Sequence, residues 1–267
     1  MRTSGDPSPG GAIGPRPVTQ WRSPGGRRLA RAHRRLAERS GRRVATAVTL
    51  GVGIGVALAG VWATTFLYDA VAGRDGIARL DRPVLRAAMR LRNPGLDTAA
   101  AAIARVFGPV GMPVLTLAAG GAISLRTRDP LPVATVAVAG AGSLLMTIGG
   151  KDVVDRHRPP HRDAIPPYEH SPSFPSGHTL NATVVSGVIA YLLMLEQRRD
   201  GTQVGTAAAA LGVAAGVGLS RVLLGAHWFT DVLTGWAAGT GWLSIVVTAH
   251  RLHLTLEDDE RRDTPPR

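Results

Sequence analysis

Three short blocks of this 267-residue chain concentrate side chains able to handle a phosphate group. The first begins at Lys151 and reads KDVVDRHRPP, which places Arg158 and Pro159 after it. Lys151 is the single lysine among 31 basic residues, in a chain that otherwise uses arginine. Either chance kept one lysine, or a compact ammonium is wanted where a planar guanidinium would not serve. The second block is Phe174-Pro175-Ser176-Gly177-His178-Thr179, just ahead of an apolar run. Proline and serine there are helix-start signals, and glycine permits close backbone approach. A helix N-terminus offers unpaired N–H groups and a positive dipole end, which suit an anionic phosphate. A plain helix cap would account for Ser176 but not for His178.

The third block runs Ser220-Arg221-Val222-Leu223-Leu224-Gly225-Ala226-His227-Trp228-Phe229-Thr230-Asp231. His227 and Asp231 stand four apart, one turn along a helix face. A carboxylate that holds one ring nitrogen leaves the other with a defined lone pair. Arg221 falls among apolar neighbours, where an unpaired charge is costly. A boundary ion pair would explain His227 with Asp231 but not Arg221 and Lys151 at matching depth. His157, His161 and His170 read as members of a polar loop, and Pro159-Pro160 keeps His157 and His161 off a shared helical turn. Together the blocks suggest phosphoryl transfer through a histidine. No acidic cluster resembles a magnesium cage, so neither a metal nor another cofactor is expected.

Positioning these blocks falls to membrane helices. Residues 44–68 contain no charged side chain until after Tyr68, long enough to cross a bilayer. Further candidate spans lie near 98–125, 131–150, 179–195, 206–224 and 232–250. The second is expected to kink, because it holds Arg105, Pro109 and Pro113. Gly235 and Gly239 should let the sixth approach a neighbour closely. The expected fold class is all-α: an integral membrane bundle of six transmembrane helices with its site at the extracytoplasmic face. The connecting 69–97 segment carries six arginines and reads as an amphipathic helix at the interface. Its N-cap would be Asp81, with Ile77, Leu80, Val84, Ala88 and Leu91 on one face.

The chain carries a formal net charge of +12, and residues 1–43 hold 11 of its arginines. That Pro/Gly/Ser-rich tail has little apolar surface to bury, so it is expected to be disordered and cytoplasmic. Its basic 27–40 stretch suits anionic headgroups better than nucleic acid, given the span that follows. Counting basic residues over both sides puts the two termini in the cytoplasm, with 44–250 as the membrane domain and 251–267 as a charged cytoplasmic tail. No residue is cysteine, which excludes disulfides, thiolate metal sites and a cysteine nucleophile.

In this order and spacing, Lys151-x6-Arg158-Pro159, Pro175-Ser176-Gly177-His178 and Ser220-Arg221-x5-His227-x3-Asp231 resemble the signature of the type 2 phosphatidic acid phosphatase family, which shares its site with vanadium haloperoxidases. The resemblance covers about residues 44–250 and neither tail. It implies that His227 attacks phosphorus and forms a phosphohistidine, with Asp231 orienting the ring and His178 protonating the departing oxygen. Lys151, Arg158 and Arg221 would hold the phosphate oxygens, with Ser176 and the Gly177 N–H completing the cradle. The implied activity is metal-free hydrolysis of a lipid phosphate in the bilayer of a bacterial cell. Polyprenyl diphosphate is the first expectation, ahead of phosphatidate and phosphatidylglycerol phosphate. A transferase with an acceptor other than water, or a lipid-phosphate-binding protein without turnover, would use the same residues. A decayed copy should have lost at least one of His178, His227 and Asp231.

Overall fold

The computed structural model describes residues 12–13, 16–17 and 42–263, with side chains over 46–255. Expectations for the tails before residue 42 and after 263 lie outside these residues, apart from one short antiparallel pair, β1 (Ala12–Ile13) with β2 (Arg16–Pro17). Eight α-helices follow among the described residues. They are α1 (Arg42–Gly73), α2 (Asp81–Leu91), α3 (Pro94–Val106), α4 (Gly111–Thr127), α5 (Leu131–Val154), α6 (Gly177–Glu196), α7 (Asp200–Leu223) and α8 (Phe229–Asp263).

Five of these, α1 and α5 to α8, are long and apolar enough to cross a membrane. The sixth span is a broken one: α3 and α4 meet at a 63° bend. Pro109 lies in the break, where it supplies no N–H to continue the helical ladder. At the other end of α3, Asn93 caps the helix by accepting the Leu96 N–H at 3.0 Å, with Pro94 in the first turn. Large apolar side chains such as Trp62, Val52, Leu125 and Leu145 face outward. In a bilayer that is the arrangement with the lowest cost.

The bundle is organised around α6. Its Leu180, Val184, Val188 and Leu192 pack with Val136 and Ala139 of α5 and Ala238 and Val246 of α8. On another side of the bundle, Ala100, Ala101 and Ala104 of α3 pack on Leu223 and Leu224 at the end of α7. The glycines of α8 act as expected: a Cβ on Gly235 would lie 2.8 Å from the Thr179 Cβ, and one on Gly239 would lie 2.9 Å from the Thr183 Cβ. Helices α6 and α8 therefore touch nearly backbone to backbone, which fixes the distance between the blocks at their ends.

Two expectations change. The amphipathic helix forms as α2, but Asp81 is its first helical residue rather than its cap, and the cap position is Leu80. Its buried residues are Asp81 and Leu85, whereas Leu80 and Leu91 are exposed. The 251–267 segment does not begin at a helix end, because α8 continues to Asp263.

Candidate active site

All three blocks reach the same end of the bundle, and the reason is local. At the foot of α5, Asp155 takes a left-handed conformation (φ 42°) and donates its N–H to the Lys151 carbonyl. The chain turns there and runs back across the bundle end. It is tied down where the Ser173 N–H meets the Arg156 carbonyl at 2.7 Å and the Ser176 N–H meets the Asp231 carbonyl at 3.1 Å. Gly225 (φ 66°) turns the chain between α7 and α8, and a Cβ there would collide with the Asp163 carbonyl. Arg92 clamps both loops, donating to the carbonyls of Leu223 (2.8 Å) and Asp163 (2.7 Å).

At the centre of this arrangement stands a carboxylate that sequence reasoning did not single out, Glu169. One of its oxygens, Oε1, accepts from Arg221 Nη2 and lies 3.4 Å from His178 Nδ1. The other, Oε2, is 2.7 Å from Arg158 Nη2 and 3.7 Å from His227 Nε2. Burial alone would raise the Glu169 carboxyl, but the Arg221 guanidinium opposes it, and the group is held well below the usual carboxylate range. Arg221 is fully buried, and its Nε and Nη1 have no hydrogen-bond partner among the described residues. Two carboxylate oxygens thus do not saturate the donors around them.

Neighbouring groups assign one ring nitrogen of each histidine. Arg158 Nη1 lies 3.1 Å from His227 Nε2. A guanidinium offers only donors, so a ring nitrogen facing it accepts, and the His227 proton belongs on Nδ1. Nδ1 faces Asp231 Oδ2 at 3.4 Å without a hydrogen bond of good geometry. Instead that oxygen accepts from Ser173 Oγ and from the Trp228 N–H. His178 Nε2 is 3.1 Å from the Ala104 carbonyl at the end of α3, to which it donates. The remaining nitrogen, Nδ1, looks toward Glu169.

The predicted phosphate-holding residues separate into two sets. Arg158 and Arg221 converge on Glu169, while Lys151, nearer the rim, donates to Ser171 Oγ (2.8 Å) and the Pro172 carbonyl, two acceptors that Arg158 Nη2 also reaches. Ser176 has a hydroxyl partner outside the cradle. It is fully buried, its Oγ pairs with Thr179 Oγ1 at 2.9 Å, and it opens α6 as the cap residue without a side-chain cap bond. Gly177 is the first residue of α6, so its N–H has no partner within the helix. A Cβ at Gly177 would come within 2.6 Å of Thr147 Cγ2, so packing on α5 already requires glycine.

Behind His227 lies a second set that no sequence motif groups. Arg156 donates to Asp231 Oδ1 (2.5 Å), Thr230 Oγ1 (2.8 Å) and Asp81 Oδ2 (2.6 Å). Glu169 did leave a trace, being the sole glutamate between Glu38 and Glu196. The pairing of Asp81 with Thr230 left none, because 149 positions separate them.

Comparison with known proteins fits this geometry. Residues 132–253 match the PAP2 superfamily. Phosphatidylglycerophosphatase B of Bacillus subtilis (strain 168) is 32% identical over 170 residues, which cover 62% of this chain and 80% of that protein. The crystal structure of a transmembrane PAP2-type phosphatidylglycerolphosphate phosphatase from Bacillus subtilis superposes with a TM-score of 0.66 at 26% identity, over 73% of this chain and 96% of that one. With six apolar spans that set these histidines and arginines around one anion, the chain belongs to the PAP2 superfamily and is one of its membrane lipid phosphatases.

Proposed function

We propose that the chain hydrolyses a lipid phosphate monoester, phosphatidylglycerol phosphate first, through a phosphohistidine on His227. The observation that carries this reading is the anion already held in the cradle. Glu169 is gripped by Arg158 and Arg221 and faced by both histidines, and Arg221 still has donors to spare. A phosphoryl group has one more equatorial oxygen than a carboxylate has in total, which matches donors left over. On substrate binding the phosphate and Glu169 compete for the same partners.

In the proposed reaction His227 Nε2, whose lone pair is fixed by the proton on Nδ1, attacks phosphorus. The bond from phosphorus to the lipid oxygen breaks, and His178, as imidazolium, delivers its Nδ1 proton to that oxygen. Asp231 supports the positive charge that His227 acquires. Water then attacks phosphorus and gives a proton to the now neutral His178 Nδ1, the P–N bond breaks, and inorganic phosphate leaves a free His227. Arg158, Arg221 and the Gly177 N–H hold the oxygens throughout, and Lys151 at the rim meets the rest of the headgroup. Ser176 acts by holding the start of α6 rather than as a donor. These cationic groups supply the charge stabilisation that a metal gives elsewhere, so turnover should survive a chelator.

The substrate order differs from the one expected from the sequence. The Bacillus relatives are named for phosphatidylglycerophosphate, which favours that lipid over polyprenyl diphosphate. Phosphate release by the detergent-purified chain in EDTA, from phosphatidylglycerol phosphate, phosphatidate and polyprenyl diphosphate in parallel, tests both mechanism and ranking. Fastest release from polyprenyl diphosphate would reverse the order, and loss of all turnover in EDTA would sink the metal-free mechanism. The excess of arginine on the other side argues for an outward-facing site. The chain has no cysteine, so a single cysteine at exposed Arg162 reports cleanly. Labelling by an impermeant reagent in intact cells is expected; labelling only after permeabilisation would invert the topology.

A further inference from the structure

Asp81, Arg156 and Asp231 form a row of alternating charge that ends at the imidazole of His227. Asp81 comes from the first turn of α2, Arg156 from the loop after α5, and Asp231 from the first turn of α8. All three are deeply placed, with side-chain exposures of 5%, 17% and 0%. Arg156 is forked between the two carboxylates, and its guanidinium lies 5.7 Å from the centre of the Trp228 ring. The guanidinium of Arg156 meets Asp81, Thr230, Asp231 and Trp228, and none of these belongs to the anion cradle.

From this geometry we infer that Asp81 and Arg156 are positioning residues for the histidine chemistry, acting through Asp231. The argument rests on charge and on geometry. Arg156 fixes Asp231 Oδ1, while Ser173 Oγ and the Trp228 N–H fix Oδ2, so the carboxylate cannot rotate away from His227. Alone, however, Arg156 would neutralise Asp231 and leave His227 facing an uncharged pair. Asp81 restores one net negative charge to the row, which is what a ring acquiring positive charge during attack requires. Asp81 also accepts the Thr230 N–H at 2.9 Å, capping α8 from a distant helix. It thereby fixes the first turn of α8, and Asp231 with it, against α2. The inference rests on His227 as the nucleophile.

The test is steady-state phosphate release from phosphatidylglycerol phosphate by the full chain, comparing Asp81→Asn, Arg156→Met, the double variant and His227→Ala. Gel filtration checks that each variant is folded. The expected result is a fall in kcat of roughly 10–100-fold in either single variant, the size seen when a supporting shell is removed. KM should stay within about threefold, because neither residue touches the phosphate. The double variant should be no worse than the poorer single, since the two act as a unit. Arg156→Lys should recover only part of kcat, because an ammonium cannot fork between two carboxylates. An unchanged kcat, or a loss carried by KM, overturns the role. If Arg156→Met does not fold, the isosteric Asp81→Asn decides by the same split. Turnover surviving in His227→Ala overturns the nucleophile and this role together. A dead His227→Ala beside an unchanged kcat in Asp81→Asn overturns the positioning role alone.

Discussion

Two arginine–carboxylate clusters lie side by side at one end of this bundle, and they are built in opposite ways. Around Glu169, Arg221 keeps two donors that the carboxylate does not use, and the Glu169 side chain is 22% exposed. Around Asp231, the oxygens accept from Arg156, Ser173 and the Trp228 N–H, and the side chain is fully buried. Leaving buried donors unused costs free energy, so an unsaturated cluster is one that exchanges its anion. A saturated cluster holds its neighbours still. The first reads as a binding site and the second as its support, although both are made from the same residue types.

Substitutions can break that contrast. The largest effect is expected where the clusters meet: His227→Ala should lower phosphate release on the order of 10³-fold or more while the protein stays monodisperse. Substantial residual turnover would remove His227 from the nucleophile role. Next comes Arg221→Met, expected to cost on the order of 10²-fold in kcat as a donor to the transition-state charge is lost. Arg221→Lys should not restore it, because a point charge cannot replace a fork. Full activity in Arg221→Lys would show that the donor geometry is unimportant.

Glu169→Gln should act with the opposite sign. Removing the internal competitor is expected to lower KM and the inhibition constant of inorganic phosphate, each by roughly threefold to tenfold. Weaker phosphate inhibition would mean that Glu169 helps to hold the anion rather than competing with it. The smallest effect concerns stability. The Glu169 carboxyl is held below its ordinary value in the folded chain, so its contribution is present above the unfolded carboxylate pKa of about 4.3 and is lost as pH falls through the folded value. Thermal unfolding of wild type and Glu169→Gln should therefore differ near neutral pH and converge in strong acid. A difference that grows toward acid would contradict the assigned sign.

The six spans were legible because a bilayer demands long uncharged runs, and α1 and α5 to α8 satisfy that demand locally. The bend between α3 and α4 was legible from Pro109 and Pro113 for a similarly local reason. Arg158, Arg221, His178 and His227 were legible as a group because each sits at a helix end beside a turn-forming proline or glycine, or within the same motif. Ser176 was expected in the cradle from its place before a helix, and only the structure shows its hydroxyl paired with Thr179. Glu169 was passed over because a lone loop glutamate has no periodicity to mark it. Sequence alone therefore determined a membrane-helix bundle and the chemistry available at one end of it, since hydropathy and turn formation act between near neighbours. Which carboxylate faces the anion site, and which supports His227, was decided by tertiary structure. Those contacts join Asp81 to Thr230 and Glu169 to Arg221, and only the packing of α2 on α8, and of the loop after α5 on the end of α7, brings such distant side chains within reach.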